Sequence, residues 1–166
     1  MTKNSYETTM PIEVTNNRGA KYRLPEKAKG ANHGELCESI VKWQLGLYTP
    51  NNPTTSYDKG SDIEELNASV KSSHASLGRT FGDSKNTSEA IRYYFRHVHS
   101  TLFIWAHYDE KTRIMTEYHM NKKEFGKFVR TFMYCHMSNS KNHKMEIRFP
   151  STSKKLIAWF EAQCTC

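Results

Sequence analysis

The chain has 166 residues, 37% hydrophobic, 25% charged and 12% aromatic, enough for one domain with a real core and too aromatic for a disordered chain. No stretch approaches the roughly 18 consecutive apolar residues of a membrane span, and the opening MTKNSYETTMPIEV lacks the apolar segment of a secretory signal. With 24 Lys and Arg against 17 Asp and Glu, the net charge is +7, which favours a polyanionic partner because clustered cations displace counterions from phosphates.

Residues 1 to 30 are polar and read as a basic arm or short edge element ahead of a single domain over residues 31 to 166. The arm's Arg18, Lys21, Arg23, Lys27 and Lys29 could reach a phosphate backbone, and a solvated basic tail is the alternative reading. From His33 the periodicity is helical, with Leu36, Ile40 and Val41 on one face and Trp43 and Leu47 extending it until Pro50 and Pro53. Two short strands are expected to flank Glu64-Glu65-Leu66-Asn67, with Val70 the buried residue of the second. A loop with Gly78 and Gly82 follows.

Thr87 reads as an N-cap, and Ile91, Tyr94, Phe95 and Val98 make an amphipathic helix over residues 88 to 99. TLFIWAHY and RIMTEYHM, joined by DEKT, predict a β-hairpin. Asn121 and Glu124 have capping-box spacing, ahead of a helix whose Phe125, Phe128, Val129 and Phe132 share a face. KMEIRF is a last strand, and STSKKLIAWFEA a capped helix with Leu156, Ile157 and Phe160 inward. The expected class is α/β, a central mixed β-sheet flanked by helices on both faces. The chain has no internal repeat, no G-x-G-x-x-G and no P-loop, which disfavours nucleotide-binding enzymes of those types.

The chemistry concentrates in GSDIEELNASVKSS. Hydrolysis of a phosphodiester by a divalent cation needs hard oxygen ligands and a positive group that orients the attacking water. Ser69 and Lys71 lie two apart and face one side of a strand, while Val70 faces the other. Asp62, just upstream, can lie beside them.

This stretch resembles the PD-(D/E)xK, or restriction-endonuclease-like, nuclease superfamily in an S-x-K variant. The resemblance implies that Asp62 binds the metal and Lys71 is the catalytic lysine. Gly34-Glu35-Leu36-Cys37-Glu38 resembles the family's first-helix G-x-x-x-E pattern, so Glu38 would reach the same site, with Glu35 as substitute. The chain departs from the family in having Ser69 where an acid is usual, and Ser61 rather than proline before Asp62. Glu89, at the start of the next helix, would supply the missing ligand, with Glu64 and Glu65 as rivals. The implied cofactor is Mg²⁺, for which Mn²⁺ can substitute. The implied partner is DNA, cut by an enzyme of the restriction, phage or mobile-element type that often acts as a homodimer. The alternative is a non-catalytic DNA-binding or interaction protein on a decayed nuclease fold.

Ser72, Ser73 and His74 follow Lys71 and are candidates for phosphate contact, and Arg79 and Lys85 for gripping the DNA backbone. Polar residues at a strand exit are the plainer reading of the first three. Arg92, Arg96 and His99 form a basic helix face, and Lys141-Asn142-His143-Lys144 a basic loop. His97, His99, His107 and His119 lack the companions of a metal motif. An HNH reading of KNHK and ANHGE fails for want of a suitably spaced second histidine. Cys37, Cys135, Cys164 and Cys166 form no paired C-x-x-C, so structural zinc is disfavoured and reduced thiols in a cytoplasmic protein are expected. Cys37 falls among core residues and reads as a buried spectator.

Overall fold

The strand LFIWAHYD is buried on both faces, and the rest of the chain is arranged around it. In the computed structural model, the described residues are 1–11, 13–15, 21–23, 32–48, 61–72, 87–109, 111–132, 134–137, 145–148 and 154–164. They form β1 (Thr2–Glu7), β2 (Glu13–Thr15), β3 (Lys21–Arg23), α1 (Asn32–Gln44), a single 3₁₀ turn (Glu64–Leu66), β4 (Ala68–Ser72) and α2 (Thr87–His97). After these come β5 (Leu102–Asp109), β6 (Ile114–Asn121), α3 (Lys122–Phe132), β7 (Tyr134–Met137), β8 (Met145–Arg148) and α4 (Lys154–Cys164).

The main sheet is mixed and four-stranded, ordered β1-β6-β5-β4. β5 and β6 form the expected antiparallel hairpin, closing with Asp109 opposite Ile114. β4 runs parallel to β5, and α2 is the crossover between them. Alternation along β5 divides the core. Phe103 and Trp105 face α2, α3 and α4, packing with Ile91, Tyr118, Phe125, Phe128, Leu156 and Phe160. Ile104, Ala106 and Tyr108 face α1, packing with Leu36, Cys37, Ile40 and Val41. The α/β class with helices on both faces is therefore what the chain adopts.

The α2–α4 side is aromatic. Phe103 stacks on Phe125 with centroids 4.1 Å apart, Tyr118 on Phe160 at 4.4 Å, and Trp105 meets Phe128 edge-on at 5.2 Å. The Asn121–Glu124 capping box forms as its spacing predicts. Glu124 N donates to Asn121 Oδ1 at 2.9 Å, and Asn121 N donates to Glu124 Oε2 at 2.8 Å.

Four expectations need correction or sharpening. The first helix ends at Gln44, before Pro50, because Gly46 takes a left-handed φ of +71°. Gly46 N then donates to Trp43 O at 3.0 Å and Leu47 N to Lys42 O at 2.8 Å, a Schellman close. The two strands around Glu64–Leu66 reduce to one, since Ile63 makes only an isolated bridge to Ala68 ahead of β4. Thr2–Glu7, expected in the basic arm, takes the edge-element alternative and pairs antiparallel with β6. β8 falls within KMEIRF but pairs with the unforeseen β7 rather than joining the main sheet.

On the α1 side, β6 turns a carboxylate inward. Glu117 is buried, accepts a short hydrogen bond from Tyr6 OH, and accepts another from His119 Nε2 at 2.7 Å. A buried carboxylate needs such partners. Cys37 lies in the same layer, and burial pushes its thiol pKa up to about 12, which suits a spectator and not a nucleophile.

A candidate active site at the free edge of β4

Asp62 is brought to β4 by a tight reversal. Asp62 N and Ile63 N both donate to Ala68 O, at 2.9 and 3.0 Å, and Ala68 N donates back to Ile63 O at 3.0 Å. The intervening 3₁₀ turn ends on Asn67, which holds φ 47° and ψ 45°, a left-handed conformation that asparagine tolerates better than most residues. Asn67 also ties the turn to its surroundings. Its Oδ1 accepts from Ser61 Oγ at 2.9 Å, its Nδ2 donates to His99 O at 3.2 Å, and its carbonyl accepts from Thr101 N at 3.0 Å.

The reversal lays the Asp62 carboxylate along the outer edge of β4. Oδ2 accepts from Val70 N at 2.7 Å, Ser69 Oγ at 3.0 Å and Lys71 Nζ at 3.2 Å. Among the described residues β4 has β5 on one side only, so without Asp62 Val70 N would point away from the sheet unpaired. Lys71 Nζ also donates to Val70 O at 3.1 Å. The Lys71 and Asp62 side chains are 18% and 23% exposed, a sheltered pair that solvent still reaches.

Glu38 of α1 completes the cluster. Burial pushes its carboxyl above the usual range, the hydrogen bond from Lys42 Nζ at 2.7 Å opposes this, and the Asp62 charge adds to the rise. The Lys71 charge also opposes it, so Glu38 lies within electrostatic reach of both Asp62 and Lys71. Tyr94 approaches from α2: burial raises its phenol, and the Asp62 carboxylate adds to that rise.

Asp62, Ser69 and Lys71 thus come together, while Glu38 of α1 is bonded to Lys42 and feels the Asp62 and Lys71 charges. Glu89 is exposed in the first turn of α2, and Glu64 and Glu65 are exposed on the 3₁₀ turn. Ser72 is 2% exposed, on the α1 face of β4 and opposite to Lys71, with its Oγ without a hydrogen-bond partner. Gly34 lies above it, close enough that a Cβ there would meet Ser72 Oγ at 3.8 Å. Among the described residues, no three His, Cys, Asp or Glu side chains gather as a metal cage. Ser73, His74, Arg79 and Lys85 lie outside the described residues, as do Arg18, Lys27, Lys29, the loop 141–144 and the Glu35 side chain. Lys21 and Arg23 lie on β3.

Sequence reasoning did not single out Asn67 or assign Tyr94 any role near Asp62. The Asn67 signal is a turn-forming asparagine directly before a strand. Asn67→Ala is expected to destabilise by about 2–3 kcal/mol, from left-handed strain plus two lost side-chain bonds. Asn67→Gly, which accepts the same φ, should lose about half as much in urea titrations.

Glu38 has a pH signature. The folded chain binds its proton more tightly than the unfolded chain, so stability falls as pH rises from the ordinary glutamate pKa, about 4.3, through the raised value, and then levels off. Glu38→Gln is expected to flatten that fall and to be the more stable protein at neutral pH without divalent cations. Urea titrations between acid and neutral pH read both arms.

No protein-family model, no curated protein and no solved structure matches the chain.

Proposed function

We propose that the chain is a metal-dependent DNA endonuclease with a restriction-endonuclease-like core: helix α1, the acid-bearing turn, the lysine-bearing β4, the crossover α2 and the parallel β5. The observation that carries this reading is the pairing of Lys71 Nζ with Asp62 Oδ2 at 3.2 Å, and the electrostatic influence of both on Glu38 supports it. The net charge of +7 suits a polyanionic substrate.

The donors fit a hard divalent cation. Among the described residues no donor is bonded to Asp62 Oδ1, and the Glu38 carboxylate, bonded here to Lys42, would be the second hard oxygen ligand. Mg²⁺ is commonly held by one or two carboxylates with waters and substrate phosphate completing its shell, so a protein cage is not required. When bound, the cation supplies Lewis acidity toward the phosphate and acidifies water. Lys71 has three N–H donors, and two are used on Asp62 Oδ2 and Val70 O. The third is available to hold the attacking water or a phosphate oxygen. Ser69 and Val70 N keep Oδ2 fixed, so Asp62 presents Oδ1 in one orientation.

One observation favours a second reading, a DNA-binding module without catalysis. The three donors on Asp62 Oδ2 make a sound structural cap for the β4 edge without any metal. Supercoiled plasmid with Mg²⁺, with and without chelator, separates the readings. The nuclease converts plasmid to nicked or linear forms, stops on chelation, and loses activity in Asp62→Asn. DNA binding with no cleavage and no Mn²⁺ binding selects the module.

A further inference from the structure

The basic face of α2 adjoins the Asp62 turn, and its chemistry differs from that of the rest of the helix. Ile91, Tyr94, Phe95 and Val98 pack inward. Arg92, Tyr93, Arg96 and His97 are exposed. Tyr93 is 44% exposed and stacks on His97 with ring centroids 4.1 Å apart and planes at 30°. A hydrogen bond between His97 Nδ1 and Tyr93 O, 2.8 Å long, holds the imidazole against the phenol ring. Arg92 Nε donates to Ser88 O at 3.3 Å, which leaves the N–H groups of its two Nη atoms for an outside acceptor. Among the described residues no carboxylate pairs with Arg92 or Arg96.

One hydrogen bond ties the end of α2 to the turn of the candidate active site, and the inward side of the helix feels the charge there. Tyr94, adjacent in sequence to Tyr93, reaches inward to where it feels the Asp62 charge. His99, just beyond the helix, receives Asn67 Nδ2 on its carbonyl at 3.2 Å. The C-terminal end of α2 is thus tied to the turn that holds Asp62.

We infer that this face binds single-stranded DNA, with Arg92 and Arg96 on successive phosphates and the Tyr93–His97 pair as a platform for one unpaired base. The preference for an unpaired strand follows from the exposed rings, because a base inside a duplex has no free face to stack on an aromatic side chain. The two unneutralised arginines at i and i+4 match a polyanionic backbone. The identification of the polyanion as DNA rests on the nuclease reading above, and it narrows the substrate to DNA with an unpaired segment beside the cut.

The test uses the full chain carrying Lys71→Ala, without divalent cations, so that binding is read apart from cleavage. Fluorescence anisotropy with a labelled thymidine oligomer, a blunt duplex of equal length and the matching ribo-oligomer measures affinity. The single DNA strand is expected to bind tightest, and Tyr93→Ala to weaken it about 5- to 150-fold. Replacing both Arg92 and Arg96 by Ser is expected to reduce the salt slope for the single strand by about 1.4. All three side chains are exposed, so unchanged melting temperatures confirm that the variants fold. An unchanged affinity in Tyr93→Ala overturns the proposal whatever the arginine variant does, and so does tighter binding of the duplex or of RNA. A wild-type protein that binds the strand through Tyr93 yet leaves DNA intact with Mg²⁺ keeps this inference and loses the nuclease reading.

Discussion

Lys71→Ala is expected to lower DNA cleavage by about 10²- to 10⁴-fold while leaving the chain folded and DNA affinity within a few-fold of wild type. The fold survives because Lys71 is only one of three donors on Asp62 Oδ2. Val70 N at 2.7 Å and Ser69 Oγ at 3.0 Å remain, so the acid stays on the strand edge. On the nuclease reading, what is lost is the ammonium that bonds the acid and would reach the phosphate. Lys71→Arg should not restore the rate, because a planar guanidinium on a longer stem cannot bond Asp62 Oδ2 and Val70 O from the same point. Single-turnover rates on plasmid, paired with anisotropy in chelator, measure the two halves. Wild-type cleavage by Lys71→Ala would remove this lysine from the chemistry and the nuclease reading with it.

Phe128→Ala carries the largest expected loss of stability, about 3–5 kcal/mol. Its ring is fully buried in α3 and meets Trp105 of β5, Phe125 of its own helix, and Trp159 and Phe160 of α4. Removing it opens a cavity among aromatic rings that cannot collapse without unstacking their neighbours. In a domain of this size the melting temperature should fall by about 10 °C or more. Phe128→Leu should cost far less, since it keeps most of the apolar volume. Trp105 lies beside Lys71 in the parallel register, so the cavity opens behind the strand that carries the lysine. Cleavage measured well below the lowered melting temperature should nonetheless stay near wild type, because the Asp62 bonds run along the opposite, outer edge. A stability loss under about 1 kcal/mol would mean that this ring is not the centre of the core.

The elements that were legible in the sequence are those whose signal is local. The β5–β6 hairpin shows as two apolar-rich runs around a short polar turn, and α3 as a capping box followed by phenylalanines at helical spacing. The meeting of Asp62 with Lys71 was also legible, because strand alternation and a short turn leave few other arrangements. What was missed depends on long-range or conformational information. β1 reads TKNSYE, almost wholly exposed, so its strand carries no apolar periodicity, and its partner β6 lies in the last third of the chain. The stop at Gly46 is a choice between two breakers, and the glycine acts first because a left-handed residue closes the last turn where proline only forbids the next. Ser72 was read as a substrate contact, yet strand alternation already places it on the face opposite Lys71, where α1 buries it. Glu117, between Thr116 and Tyr118, carries no local signal of burial, and its pairing with Tyr6 and His119 explains it.

The Tyr6–Glu117 bond joins residues 111 positions apart in the chain, and it lies on the strand that closes one side of the main sheet. During synthesis β1 emerges first but has nothing to pair with until β6 has left the ribosome. Until then, the N-terminal strand is a polar, soluble segment with little tendency to pair wrongly, while β6 is made with its own partner β5 only just ahead of it. The order of synthesis is thus the reverse of the order of assembly at this edge. Closing so long a loop costs more chain entropy than forming the β5–β6 hairpin, so the β1–β6 pairing is expected to follow the hairpin.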